Sequence, residues 1–214
     1  GLPAGDPPDP LPPVGEGSPG VEVRIAHPAS QSHILLGMPA LTRSDPDYFP
    51  LYVGNYVLGG GGFVSRLYDE VREKRGLCYS IYTYGSSYID TGLFSVYTAL
   101  GKATEREAIG VIVDEIKRFK EDGVAADELL RTREQLKANV LMGLESTGTR
   151  MNRLGRNELY FGYVPEPDEI IASYDSVTAE DIHKLSAYCL DFDKVSFSAV
   201  GKVDSAEDYR ELLS

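Results

Sequence analysis

LGGGGFVSRLYDEVREKRGLCYSIYTY, residues 58–84, is the stretch whose reading decides the fold. Four consecutive glycines are followed by Val64, Leu67, Tyr68 and Val71 at helical spacing. Gly76 stands where a helix C′ glycine belongs, and the tyrosine-rich run from Tyr79 predicts a strand. Arg72 and Tyr79 therefore fall at a helix-to-strand corner. Arginine stays charged at any biological pH, and both groups can donate hydrogen bonds to an acceptor such as a peptide carbonyl. On spacing alone, a surface arginine and a core tyrosine account for the same residues equally well.

Working outward, residues 21–27 and 32–38 have strand character between turn formers. Residues 45–58 read as helical after Pro50, with Leu51, Val53, Tyr56, Val57 and Leu58 as a broad apolar face. Downstream, strands are expected over 79–84 and 92–100, joined by a Gly-Ser turn. Thr104 and Glu107 form a capping-box pattern ahead of Ile109, Ile112, Ile116 and Phe119, and Gly123 closes that helix. A long helix is expected next through Leu129, Leu136 and Leu144, then a shorter one over 150–162. Thr178 and Asp181 begin another, and a strand over 194–200 ends the fold. Adjacent strand pairs separated by helices imply an α+β layer with an antiparallel or mixed sheet covered by helices. The first twenty residues hold seven of the 13 prolines and five glycines, so residues 1–20 read as a linker and 21–214 as the folded domain.

The 21 basic residues against 33 acidic ones give a net charge of −12. That balance argues against nucleic acid as a partner, which needs a basic footprint, and suits cationic ligands. No apolar run approaches the roughly 20 residues that span a bilayer. A soluble protein, cytoplasmic or periplasmic in a bacterium, is the expectation. The start at Gly1 without an initiator methionine reads as an excised piece. Cys78 and Cys189 form no CxxC pair and read as free thiols.

His27, His33 and His183 match no zinc-ligand spacing, and no nucleophile motif is present. The glycines raise phosphate binding at a helix N-terminus, yet GGGGFVSR lacks the lysine and spacing of a phosphate loop. A tightly packed turn, or a loop whose bare backbone approaches an extended peptide, remain as readings of Gly59, Gly60, Gly61 and Gly62.

SQSHILLGMPAL (30–41), DPDYFPLYVGNYVLGGG, SRLYDEVREKRGLCYS and LESTGTRMNRLGRNELYFG, in that order, resemble the C-terminal half of an insulinase/pitrilysin-type zinc metallopeptidase. SVTAEDIHKLSAYCL and VSFSAVG fit the same half, and the processing-peptidase branch is the most similar. The resemblance implies an α+β domain like the half-domain of mitochondrial processing peptidase. It implies zinc in an N-terminal domain or partner subunit and none bound by this chain. It implies extended peptide substrates cleaved in a closed chamber, and a dimer of full-length subunits. Carried over by motif, Arg72 and Tyr79 hold the substrate backbone near the scissile bond. Gly59, Gly60, Gly61 and Gly62 resemble, in shortened form, a glycine-rich substrate loop. The competing expectation is a non-catalytic structural or assembly subunit of the same fold.

Overall fold

The computed structural model describes residues 19–26 and 28–213. Its centre is a five-stranded sheet in the order β1-β5-β2-β4-β3. The strands are β1 (Gly20–Ile25), β2 (Ser32–Ala40), β3 (Cys78–Ser87), β4 (Gly92–Leu100) and β5 (Ser196–Gly201). Only the β1–β5 pairing is parallel, so the sheet is mixed. Period-two alternation sends Ile34, Leu36 and Met38 of β2, Ile81 of β3, Phe94 and Val96 of β4, and Phe197 and Ala199 of β5 to one buried face. The opposite face carries exposed Tyr82, Tyr84, Leu93 and Val200. Fold class and sheet type thus match the reading of the sequence.

Helices cover the buried face. Of the helices α1 (Tyr48–Asn55), α2 (Glu105–Asp122), α3 (Ala126–Gly143), α4 (Thr147–Phe161), α5 (Pro167–Ser176), α6 (Ala179–Cys189) and α7 (Ala206–Leu213), α3 and α5 pack on α1 and on each other, and α4 buries only Asn157. Ile109, Ile112 and Ile116 of α2 and Ile182 of α6 are fully buried. Gly123 takes φ 69° and ends α2 as expected. Thr178 and Asp181 form the reciprocal cap of α6: Asp181 N–H donates to Thr178 Oγ1 at 3.1 Å and Thr178 N–H to Asp181 Oδ2 at 2.9 Å.

Several expectations are corrected. α1 begins before Pro50, because a proline within the first turn lacks only an N–H that would have no intrahelical partner anyway. The Thr104–Glu107 capping box does not form. Thr104 Oγ1 instead donates to the carbonyls of Leu77 (3.0 Å) and Gly101 (3.2 Å), tying the end of β4 to the start of β3. The strand over 194–200 does not end the fold. α7 comes after it, seating Tyr209 on Phe197 with ring centroids 4.7 Å apart. α5 had no counterpart in the sequence reading, although Pro167 opens it with Asp168 and Glu169 in its first turn. The linker expected over 1–20 lies outside the described residues up to position 18, and Gly20 already belongs to β1.

Candidate functional site

Between α1 and β3 the backbone departs from ordinary α-helix twice. Residues Tyr56–Gly60 and Tyr68–Glu73 are π-wound, shown by i→i+5 hydrogen bonds from Gly61 N–H to Tyr56 O and from Lys74 N–H to Asp69 O, each 2.9 Å. A short 3₁₀ turn, Gly62–Val64, lies between them. The expected second helix therefore starts later than Val64, which is exposed rather than on its apolar face. Leu67, Tyr68 and Val71 do face the core. π-Wound turns cluster at functional sites, and these two bracket the glycine run.

The four glycines do different work. Gly59 is buried, and a Cβ there would lie 2.5 Å from Thr83 Cγ2 and 2.9 Å from the Thr83 nitrogen. Only a bare backbone lets the π-wound turn lie flat on β3. Gly60 and Gly61 back onto Asn55 and Tyr56 of the preceding turn. Gly62 takes φ 61°, faces open space and reverses the chain. Arg66 then anchors the start of the second π-wound turn. Its Nε and Nη2 grip the two carboxylate oxygens of Glu128 at 2.8 and 2.6 Å, and Nη2 also reaches the Gly123 carbonyl at 2.9 Å.

Gly76, at φ 63°, ends the second π-wound turn as the sequence predicts, its N–H donating to Arg72 O at 2.9 Å. β3 then opens with a register shift: Cys78 pairs with Leu100 and Ser80 with Ala99, leaving Tyr79 as the extra residue of a bulge. The bulge turns Tyr79 out of the sheet alternation, and it is 78% exposed. The Arg72 guanidinium carbon lies 4.9 Å from the centroid of that ring. The structure therefore brings Arg72 and Tyr79 together. The alternative of a core tyrosine at position 79 does not hold.

A third residue escaped the sequence reading. Tyr68 is buried, lies beneath Arg72 with 4.6 Å from guanidinium carbon to ring centroid, and accepts a hydrogen bond from Arg72 Nη1 on its hydroxyl. Burial pushes its phenol pKa up against the opposing pull of Arg72, so it stays neutral. Exposed Phe63 meets the Tyr68 ring edge-on at 4.9 Å. The signal was the i,i+4 spacing of Tyr68 and Arg72.

Neither thiol is set up as a nucleophile. Burial raises the half-buried Cys78 and pushes Cys189 up to about 12, and both cysteines are free. His33 and His183 are exposed, with His33 Nδ1 sharing a hydrogen bond with Tyr97 Oη at 2.8 Å; His27 lies outside the described residues. Among the described residues, no group of three or more His, Cys, Asp or Glu side chains is placed to hold a metal ion. No helix among them is long and apolar enough to cross a membrane.

A sequence profile described as the peptidase M16 inactive domain matches residues 1–136. The chain belongs to this family. Among its relatives is a protein of Streptomyces coelicolor named as an uncharacterized zinc protease, 40% identical over 162 residues, or 76% of this chain and 35% of the relative. A Bacillus subtilis protein of the same description is 37% identical over 73% of this chain and 38% of its own length. The M16 domain thus spans little more than a third of these curated relatives. Its fold is also that of a crystal structure of a peptidase M16 inactive domain from Pseudomonas fluorescens. That match has TM-score 0.84 and 24% identity, and covers 95% of this chain and 48% of the other. A protease from Helicobacter pylori shares the fold at TM-score 0.79 and 16% identity, over 94% of this chain and 48% of that one.

Proposed function

We propose that this M16 domain is the peptide-holding, zinc-free half of a zinc metalloendopeptidase, with Arg72 and Tyr79 gripping the substrate backbone. The observation that carries the reading is the Arg72–Tyr79 stack. One exposed phenol, whose hydroxyl makes no hydrogen bond among the described residues, lies against a guanidinium that spends one N–H on Tyr68. Two donors fixed at one corner can both donate to a peptide carbonyl oxygen and favour the charge that develops on it. In this reading the domain sits opposite a zinc-bearing half, which activates water. That half is an N-terminal domain of the same polypeptide or a partner subunit. The relatives' name, zinc protease, and their greater length support that division of labour. The folded zinc-free half would begin with β1 at Gly20, and the full-length subunits would form a dimer. Of the glycine run, Gly62 stays open to an extended peptide, while Gly59 is committed to packing.

The test is Tyr79→Phe and Arg72→Ala in the complete, zinc-loaded protein, read by cleavage and binding of peptides. Tyr79→Phe is expected to lower kcat/KM by roughly 10²–10³, as removal of a transition-state donor does, with no change in melting temperature. Unchanged cleavage and binding in both variants would remove the pair from the site. The competing reading, a non-catalytic assembly subunit, predicts no peptide cleavage by the complete wild-type protein.

A further inference from the structure

We propose that Tyr68 is the positioning residue for Arg72, holding its guanidinium from beneath so that its remaining donors and the Tyr79 hydroxyl face the same peptide. The inference rests on the clamp reading above and adds the residue that makes the clamp rigid.

An arginine at a surface corner has four rotatable side-chain bonds, and a site that must hold a carbonyl within a few tenths of an ångström needs most of that freedom removed. Three contacts remove it here. The π-wound turn, one residue wider than an α-turn, lifts Arg72 above Tyr68 four positions earlier. The Tyr68 ring supports the guanidinium face and the Tyr68 hydroxyl takes Nη1. Tyr79 then takes the second cation–π contact. The one acidic group in range, Glu73 Oε1, stands 3.9 Å from Nε and is more than half exposed, too long and too wet to fix the side chain. Tyr68 itself cannot swing, because it is buried in the core and packed by Phe63. The Tyr68 hydroxyl, hydrogen-bonded to the Glu73 side chain while it accepts from Arg72 Nη1, sets the direction of that charge.

Tyr68→Phe keeps the ring and deletes the hydrogen bond. In the chain itself, side-chain nitrogen NMR is expected to show an ordered Arg72 Nε–H in the wild type and a mobile one in Tyr68→Phe, with the backbone amide spectrum preserved. Equal Arg72 order in both overturns the proposal. In the complete zinc-loaded protein, Tyr68→Phe is expected to lower kcat/KM for peptides roughly tenfold, the loss of one hydrogen bond to a charged group. It should have no further effect once Arg72 is alanine. Equal losses in both backgrounds overturn the positioning role while leaving Arg72 as a substrate contact. An Arg72→Ala variant that cleaves normally defeats the clamp reading itself, and the NMR comparison then still decides whether Tyr68 holds Arg72.

Discussion

At Gly59 one methyl group is enough to disturb the corner. The Cβ of Gly59→Ala would sit 2.5 Å from Thr83 Cγ2 and 2.9 Å from the Thr83 nitrogen, and backbone cannot move aside as a side-chain tip can. Overpacking of this kind costs about 1–3 kcal/mol. We expect a lower denaturation midpoint for Gly59→Ala and a smaller drop for Gly60→Ala, whose Cβ would meet the movable Asn55 amide at 2.6 Å and the Asn55 carbonyl oxygen at 3.2 Å. A wild-type midpoint in Gly59→Ala would contradict the contact. At this scale the sequence was readable wherever chemistry is local. Gly76 and Gly123 ended helices because positive φ is cheap only for glycine. Tyr79 was readable as a residue of interest but not as a bulge, since register depends on a partner strand distant in the sequence.

Among elements, the segment that carries Arg72 is fastened by Arg66 to both α2 and α3. Glu128 gains two charge-assisted hydrogen bonds, which hold its carboxyl below the ordinary 4.5, whereas burial raises Glu115 nearby. A depressed folded-state pKa contributes stability that is complete above the ordinary value and lost as pH falls through the folded one. Unfolding titrations below about pH 4.5 should therefore show stability lost through Glu128, and Glu128→Gln should flatten that limb. Glu115 acts with the opposite sign: its raised pKa works against the fold above the ordinary value, and Glu115→Gln should relieve that. Arg66→Ala should cost about 1–3 kcal/mol, because it strips half-buried Glu128 of its charge-assisted partner and leaves buried Glu115 with Arg118 as its cation. Strand and helix identity was legible from period two against period 3.6. The π-wound turns were not, because Leu67, Tyr68 and Val71 stand at three- and four-residue spacings that an α-helix fits equally well. α7 was missed since Tyr209 and Leu213 alone mark its buried face.

For the whole molecule, the C-terminal helix acts as a lock. Buried Tyr209 donates its hydroxyl to Glu105 at 2.5 Å, and Glu105, fully buried at the start of α2, has Lys102 at 3.1 Å as its cation. Tyr209→Phe should destabilise by about 1–3 kcal/mol, measured by chemical denaturation, because it removes the bond to buried Glu105 and takes the acceptor from the Asp204 N–H, which donates to the Tyr209 hydroxyl at 2.9 Å. Ending the chain at Val203 should abolish cooperative unfolding, because Phe197 loses its cover. The sheet order extends this to synthesis. Among the described residues β1 pairs only with β5, Val21 lying opposite Phe197, and the Ser32 hydroxyl reaches the Lys202 carbonyl across 170 positions. Emerging N-terminus first at about 5–20 residues per second, β1 waits roughly ten to thirty seconds for its partner. During that wait the β5-facing side of β2 is an unpaired edge inside a nascent chain. Any product truncated before β5 keeps that edge open, and so carries its own mark for chaperones and proteases.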